Sequence, residues 1–122
     1  MTQVRFKSAI SLADYVGLVK QWRRPTRGPR DLPRKLKQRL VALHYLLTHL
    51  EPDVAHSEED INLLIRHRNP FGIDHVQLRR LLVDYSMLER TPDGGEYRAS
   101  DGYLAEAEWD PQIVGPAPRV GK

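Results

Sequence analysis

Five leucines recur along residues 36–50 at intervals of four, three, four and three: Leu36, Leu40, Leu43, Leu47 and Leu50. An α-helix turns by about 100° per residue, so residues at this spacing form one stripe. Pro33 suits the first turn of such a helix, and Pro52 ends the segment. The spacing therefore predicts a helix that buries a leucine stripe. Val41 and Tyr45 fall on roughly the opposite side, where the Leu12–Trp22 segment or a second subunit has to cover them.

Three further helices are predicted from capping residues that stand ahead of apolar residues at helical spacing. Ser11 precedes a helix from Leu12 to Trp22. Ser57, which three acidic residues follow, begins another helix that the Asn-Pro-Phe-Gly sequence at 69–72 breaks. Asp74, with a glutamine three residues later, caps the last one. The chain thus contains one helix before the leucine helix and two after it.

After these helices the apolar residues no longer recur at helical spacing. Residues 87–90 and 96–98 flank Thr-Pro-Asp-Gly-Gly at 91–95, which predicts a β-hairpin with a five-residue loop. From residue 99 the chain reads as an acidic, proline-containing and irregular tail, in which Trp109 folds back onto the body. The sequence is divided accordingly into an N-terminal helix with a basic linker (1–31), a central domain (32–98) and the tail (99–122). The predicted fold is mostly α with a small β-hairpin.

Helix, helix, turn, helix and hairpin is the element order of a winged helix-turn-helix, with the hairpin as the wing. The central domain also resembles a small bacterial domain of unknown function. The resemblance covers about residues 32–98, and its most specific part is Asp74, Leu78-Arg79-Arg80, Leu82-Val83-Asp84-Tyr85, Leu88-Glu89-Arg90 and Asp93-Gly94. That domain occurs alone or at the C-terminus of winged-helix transcriptional regulators. The resemblance therefore implies a winged-helix-like core of three helices plus wing and, by inference from that fold, nucleic-acid binding.

The net charge of +3 is unevenly distributed. Residues 20–39 hold nine basic side chains against one acid, a local charge of +8, so the other 102 residues sum to −5. A block this basic favours a polyanionic partner, and a solvated linker kept soluble by its charge is the alternative. The charge within residues 30–98 is zero, so much of the positive charge lies ahead of the domain that carries the resemblance.

The fourth predicted helix supplies the candidates for reading bases. If its leucines point inward, Gln77 and Arg80 point outward and Arg79 falls on the border. Arginine can pair bidentately with guanine and glutamine with adenine. The alternative for Arg80 is an ion pair with Asp84, four residues later. For Arg79 the alternative is a structural contact with the hairpin or with the acids at 58–60.

The basic linker and the hairpin supply the candidates for phosphate contacts. Arginines in a Pro/Gly-containing segment can track phosphates or enter a minor groove. In the hairpin, Arg90 and Arg98 either contact phosphate or are neutralised across the strands by Glu89 and Glu96. The complete set of candidate nucleic-acid-binding residues is Arg23, Arg24, Arg27, Arg30, Arg34, Lys35, Lys37, Gln77, Arg79, Arg80, Arg90 and Arg98.

Several classes of function find no support in the sequence. Without cysteine there is no disulfide, no Cys-ligated metal and no thiol nucleophile. The five histidines do not converge in the pattern, and no catalytic or nucleotide-binding motif occurs, so we expect neither an enzyme nor a metal or cofactor. No apolar run is long enough to span a membrane, and the first ten residues lack a signal-peptide core, which favours the cytoplasm.

The sequence thus leads to one expected function and one alternative. We expect a nucleic-acid-binding protein, specifically a bacterial transcriptional regulator or chromosome-associated protein that binds double-stranded DNA. The alternative is a protein-interaction module on the same scaffold, which forms a homodimer through the Leu12–Trp22 helix and the patch of Val41 and Tyr45.

Overall fold

The second helix of the chain, α2 (Leu36–Leu46), lies at the centre of the fold, and every residue from Leu40 to Leu47 is buried. The computed structural model describes residues 8–25, 31–113 and 115. In it α2 packs against the other three helices: α1 (Leu12–Arg23), α3 (Glu58–Arg68) and α4 (His75–Asp84). The leucine stripe from Leu40 onward and the opposite patch are therefore both covered within one chain.

The leucine helix is shorter than its sequence predicts. It begins at Leu36, not at Pro33, and its first leucine is 45% exposed, so this end of the predicted stripe is wrong. Leu32, ahead of the helix, is buried instead. The helix ends at Leu46 in a turn, yet Leu47 and Leu50 remain buried. Burying a leucine side chain contributes about 2 kcal/mol to stability whether its backbone is helical or in a turn. The pattern of buried leucines therefore continues beyond the end of the helix.

The three predicted cap positions are confirmed, and two of the three residues make a side-chain cap bond. The Ser11 hydroxyl accepts a hydrogen bond from the Asp14 N–H at 3.0 Å, and the Ser57 hydroxyl accepts one from the Asp60 N–H at 3.1 Å. Asp74 stands at the predicted cap position of α4, but its side chain makes no cap bond. Its carboxylate lies 3.5 Å from His75 Nδ1 instead.

The predicted hairpin is confirmed and gains a third strand. The strands β3 (Leu88–Arg90) and β4 (Glu96–Ala99) pair antiparallel, with Glu89 opposite Arg98. A two-residue strand, β2 (His56–Ser57), pairs with the other edge of β4, so that the sheet order is β2-β4-β3. This strand immediately precedes α3. The hairpin is thereby tied to the start of that helix.

The segments on either side of residues 32–98 join each other in a second sheet. The strand β1 (Ala9–Ile10) pairs in parallel with β5 (Glu108–Trp109). Between β4 and β5 the chain forms a short 3-10 helix (Gly102–Ala105), which buries Tyr103. The expectation of an irregular tail is therefore wrong for this stretch. The predicted return of Trp109 to the body is confirmed, because its ring centroid lies 5.1 Å from that of His44.

Close approach of the backbone fixes one glycine in this segment. A Cβ on Gly102 would lie 2.6 Å from the Cβ of Ser86, at the turn after α4. The N–H of Tyr103 donates to the Ser86 carbonyl at 3.1 Å. Ser86 itself has a φ of 60°, in the left-handed region that the turn requires. These contacts seat the segment after β4 against the helical core.

The described chain is mixed α/β, with four α-helices, a three-stranded sheet and a two-stranded sheet. Across the described ranges, no helix has the length and apolar character needed to cross a membrane.

Candidate nucleic-acid interface

The outer face of α4 presents two of the predicted base-reading residues to solvent. Leu78 and Leu82 are fully buried, which fixes the rotation of the helix and leaves Gln77 and Arg80 exposed. The expected alternative for Arg80 was an ion pair with Asp84. Among the described residues, Arg80 has neither an ion pair nor a side-chain hydrogen bond. Its five N–H donors are therefore available to a ligand.

Arg79 is held by other parts of the protein. It donates to Asn62 Oδ1 on α3, and its terminal nitrogen lies 3.6 Å from a Glu58 carboxylate oxygen. The guanidinium carbon also lies 5.8 Å from the centre of the Tyr97 ring on β4. These contacts correspond to the structural alternative that the sequence left open for this residue. Arg79 joins α4 to the start of α3 and to the hairpin.

The two hairpin arginines differ in their surroundings. Arg90 donates to the Gly94 carbonyl at 3.0 Å and lies 5.6 Å from the centre of the Tyr97 ring. Arg98 is exposed, and its cross-strand neighbour is Glu89. Within the hairpin loop, hydrogen bonds from the Thr91 hydroxyl and the Gly95 N–H hold the pKa of Asp93 below its usual range. The hairpin end therefore carries a stable negative charge beside its arginines.

A groove of about 320 Å³ separates α4 from the hairpin. Its basic lining consists of Arg79, Arg80 and Arg90, and its acidic lining of Glu58 and Asp84. The two carboxylates repel phosphate and therefore oppose phosphate binding in this groove. Because basic and acidic side chains are mixed in the lining, the groove as a whole does not attract a polyanion strongly. The lining instead favours a contact from Arg80, which has neither an ion pair nor a side-chain hydrogen bond among the described residues.

The predicted basic block is only partly described. Arg23 and Arg24 are exposed at the end of α1, and Arg34 and Lys35 are exposed ahead of α2. Lys37 forms an ion pair with Asp14 on α1 at 2.7 Å, which also holds the pKa of that carboxyl below its usual value. The candidates outside the described residues are Arg27 and Arg30.

Six of the predicted residues line three grooves that share no lining residue, whereas Arg24, Arg34, Gln77 and Arg98 line none of the three. Arg79, Arg80 and Arg90 line the groove beside the hairpin. Lys35 and Lys37 line a second groove, which contains Asp14. Arg23 lines a third groove together with Lys20 and Arg68. Among the described residues, the parts of the basic block that line a groove are separate from the groove beside α4.

Sequence reasoning missed two arginines in the last turn of α3. Arg68 donates to His49 Nε2 and stacks 4.8 Å from the centre of the Tyr45 ring. Arg66 donates from Nε to His75 Nδ1 at 3.3 Å. The run Arg-His-Arg at 66–68 was visible in the sequence. Its pairing with imidazoles from α4 and from the turn after α2 depends on the tertiary structure.

His44 belongs to the core and not to a polar site. It is 1% exposed, its Nδ1 is 2.6 Å from the Tyr15 hydroxyl, and the rings of Tyr103 and Trp109 pack against it. Burial lowers the pKa of His44 to about 4, so the ring is neutral at neutral pH. In the part of the chain that the structure describes, no cluster of three or more His, Asp or Glu side chains could hold a metal ion.

Residues 30–99 match the model of a family described as an uncharacterized protein conserved in bacteria, DUF2087. The chain belongs to the DUF2087 family. The matched range agrees with the resemblance drawn over residues 32–98 and contains α2, α3, α4 and the three-stranded sheet. Helix α1, β1 and β5 lie outside it. No curated protein matches the chain, and no solved structure matches it.

Proposed function

We propose that this DUF2087 protein binds double-stranded DNA through a winged helix-turn-helix, as a bacterial transcriptional regulator or chromosome-associated protein. The observation that carries the proposal is the order α2, β2, α3, α4, β3, β4, with β2 on the outer edge of β4. A winged helix-turn-helix has this order of elements and strands. In that fold α4 is the recognition helix and the β3–β4 hairpin is the wing.

The free side chains of α4 support a role in groove reading. In the proposed complex, Gln77 and Arg80 face the bases of the major groove, where an arginine reads guanine and a glutamine reads adenine. Arg79 holds α4 in place through Asn62 and Glu58 and does not contact DNA. The wing arginines Arg90 and Arg98 lie against the DNA backbone.

The basic block supplies phosphate contacts around this helix. Arg23, Arg24, Arg34 and Lys35 are exposed and can neutralise phosphates; Arg27 and Arg30 belong to the same proposed arm. Lys37 is left out of the proposed interface because Asp14 already neutralises it. Most of the affinity is then independent of sequence and falls steeply with salt.

A salt titration followed by fluorescence anisotropy on a labelled duplex tests the proposal. If about six phosphates are neutralised, a plot of the logarithm of the association constant against the logarithm of the salt concentration has a slope near −5. Arg80→Ala is expected to weaken binding by about 5- to 150-fold, since one good bidentate base contact contributes about 1–3 kcal/mol. Lys37→Gln removes the same charge from a paired residue and is the matched control. Absence of binding at about 50 mM salt would refute the proposal.

A second candidate function, a protein-interaction module, draws on one exposed residue of α1. Val16 is 41% exposed, whereas Val41 and Tyr45 are buried within the chain and offer no open patch to a partner. A homodimer would therefore use the outer face of α1. Sedimentation equilibrium of Val16→Asp tests this: the substitution is expected to dissociate such a dimer without disturbing the core. A wild-type chain that stays monomeric at high concentration would exclude it.

A further inference from the structure

The charged residues that line the groove between α1 and the ends of α2 and α3 are all basic. The groove measures about 380 Å³, and its charged lining residues are Lys20, Arg23 and Arg68, with no carboxylate among the lining side chains. Its apolar walls include Tyr15 and Tyr45. Both other basic grooves described above contain at least one acid in their lining. Charge complementarity therefore points to an anionic occupant.

Arg68 brings an uncompensated positive charge into this groove. Its two described contacts are the Tyr45 ring and His49 Nε2. Because a guanidinium only donates, the imidazole nitrogen that receives its hydrogen bond is unprotonated. Arg68 Nε is buried and has no hydrogen-bond partner among the described residues. Arg79, by contrast, meets the carboxylate of Glu58, which shows how a structural arginine of this fold is neutralised.

Lys20 and Arg23 complete the set from the last turn of α1. Three residues apart on a helix, they lie on the same side of it. Both are exposed, and neither has an ion pair or side-chain hydrogen bond with a described residue. Three cations from two helices thus face one groove without an anion of their own.

The same end of α3 brings a basic side chain to the start of α4, where the Asp74 carboxylate also lies, 3.5 Å from His75 Nδ1. Arg66 contacts His75, the first residue of α4, and His67 is exposed between Arg66 and Arg68. The acids of α3 stand at its other end, at Glu58, Glu59 and Asp60. Helix α3 is therefore basic at the end that contributes Arg68 to the groove and acidic at its start.

We propose that the groove formed by Lys20, Arg23 and Arg68 binds the phosphodiester backbone of the nucleic acid that α4 contacts. This inference rests on the proposed function and identifies a surface, formed by the ends of α1, α2 and α3, that holds the backbone. Lysine and arginine bind phosphate oxygens through charge-assisted hydrogen bonds, and the Tyr45 ring under Arg68 keeps its guanidinium in place. The bound phosphates run past the last turn of α3, not along the acidic start of that helix.

The salt dependence of DNA binding tests the groove with variants that spare the fold. In the full chain, the double variant Lys20→Gln/Arg23→Gln removes two exposed and unpaired charges, so each lost phosphate contact reduces the slope by about 0.9 and the pair by about 2. Lys37→Gln, the control, leaves the slope within about 0.3 of the wild-type value. Arg68→Lys keeps the charge and is expected to retain the slope while weakening binding.

An inorganic probe separates failure of this inference from failure of the proposed function. Titration of the full chain with inorganic triphosphate is followed by NMR, and the Arg68 Nε–Hε resonance is expected to shift in the wild type but not in the double variant. If DNA binds with an unchanged slope in the double variant, the groove is overturned while binding through α4 stands. If triphosphate shifts Arg68 but no duplex binds, the proposed function fails and the anion site stands. If neither ligand binds, both are overturned.

Discussion

At the scale of a single residue, His44 makes the stability of the protein depend on pH. Its pKa is lowered to about 4 by burial against α1 and the segment after β4, whereas an unfolded histidine titrates near 6.5. Below about pH 6.5 the unfolded chain binds a proton that the folded chain excludes until about pH 4. Stability is therefore full at neutral pH and falls across this interval, by about 3 kcal/mol in total.

Urea unfolding at about pH 7.5 and about pH 4.5 measures this loss. His44 contacts the Tyr15 hydroxyl, the rings of Tyr103 and Trp109, and the Gly115 backbone. The His44→Gln variant keeps a polar group for the Tyr15 hydroxyl but has no proton to gain. It is expected to be less stable at neutral pH and to lose much less on acidification. Equal losses in the two proteins would show that other groups cause the acid sensitivity.

Gly102 is a second residue at which a single substitution is expected to lower the stability of the protein. An added Cβ would come within 2.6 Å of the Ser86 Cβ, so Gly102→Ala forces the segment after β4 away from the turn. We expect a loss of about 1–3 kcal/mol in the free energy of unfolding, as for other overpacked sites. Gly17→Ala is the control, because nothing lies within 4 Å of a Cβ at that position. Thermal unfolding of both variants makes the comparison, and similar melting temperatures would contradict the expected close approach.

At the scale of elements, the caps of α3 and α4 differ in what their side chains contribute. Ser57→Ala removes the hydrogen bond to the Asp60 N–H and is expected to cost about 1 kcal/mol. Asp74→Ala removes a side chain that makes no cap bond, so the expected cost is a few tenths of a kcal/mol. Chemical denaturation of the two variants measures both values. Equal losses would mean that the cap of α4 forms in solution.

Sequence reasoning predicted the elements whose signals are local. Ser11 and Ser57 cap helices through residues only three positions away, and the hairpin loop at 91–95 carries its own turn residues. The strand β2 pairs with residues about forty positions later in the chain. It has only two residues, which are too few to show the alternation of apolar and polar residues that predicts a strand. On α4, helical geometry was enough to turn Gln77 and Arg80 outward. The groove at Arg68 was not predictable, since His49 and Tyr45 reach it only through tertiary packing.

At the scale of the whole molecule, the segments outside the DUF2087 match complete the core. Tyr15 from α1 and Tyr103 and Trp109 from the segment after β4 surround His44 on the central helix. The pairing of β1 with β5 joins these two flanking segments. The flanks therefore act together as a cover for the side of α2 that carries His44.

A chain of residues 30–99 alone is expected to be much less stable than the full protein. Without Tyr15 the His44 ring loses its hydrogen-bond partner, and without Tyr103 and Trp109 it is left at the surface of an apolar patch. Each large side chain removed from the cover contributes about 1.5–3 kcal/mol, so the loss amounts to at least about 3 kcal/mol. Urea midpoints of the two chains measure it, and binding of a hydrophobic dye to the short chain alone would report the uncovered patch. Equal midpoints would contradict the role of the flanks, because the matched range would then hold a complete core.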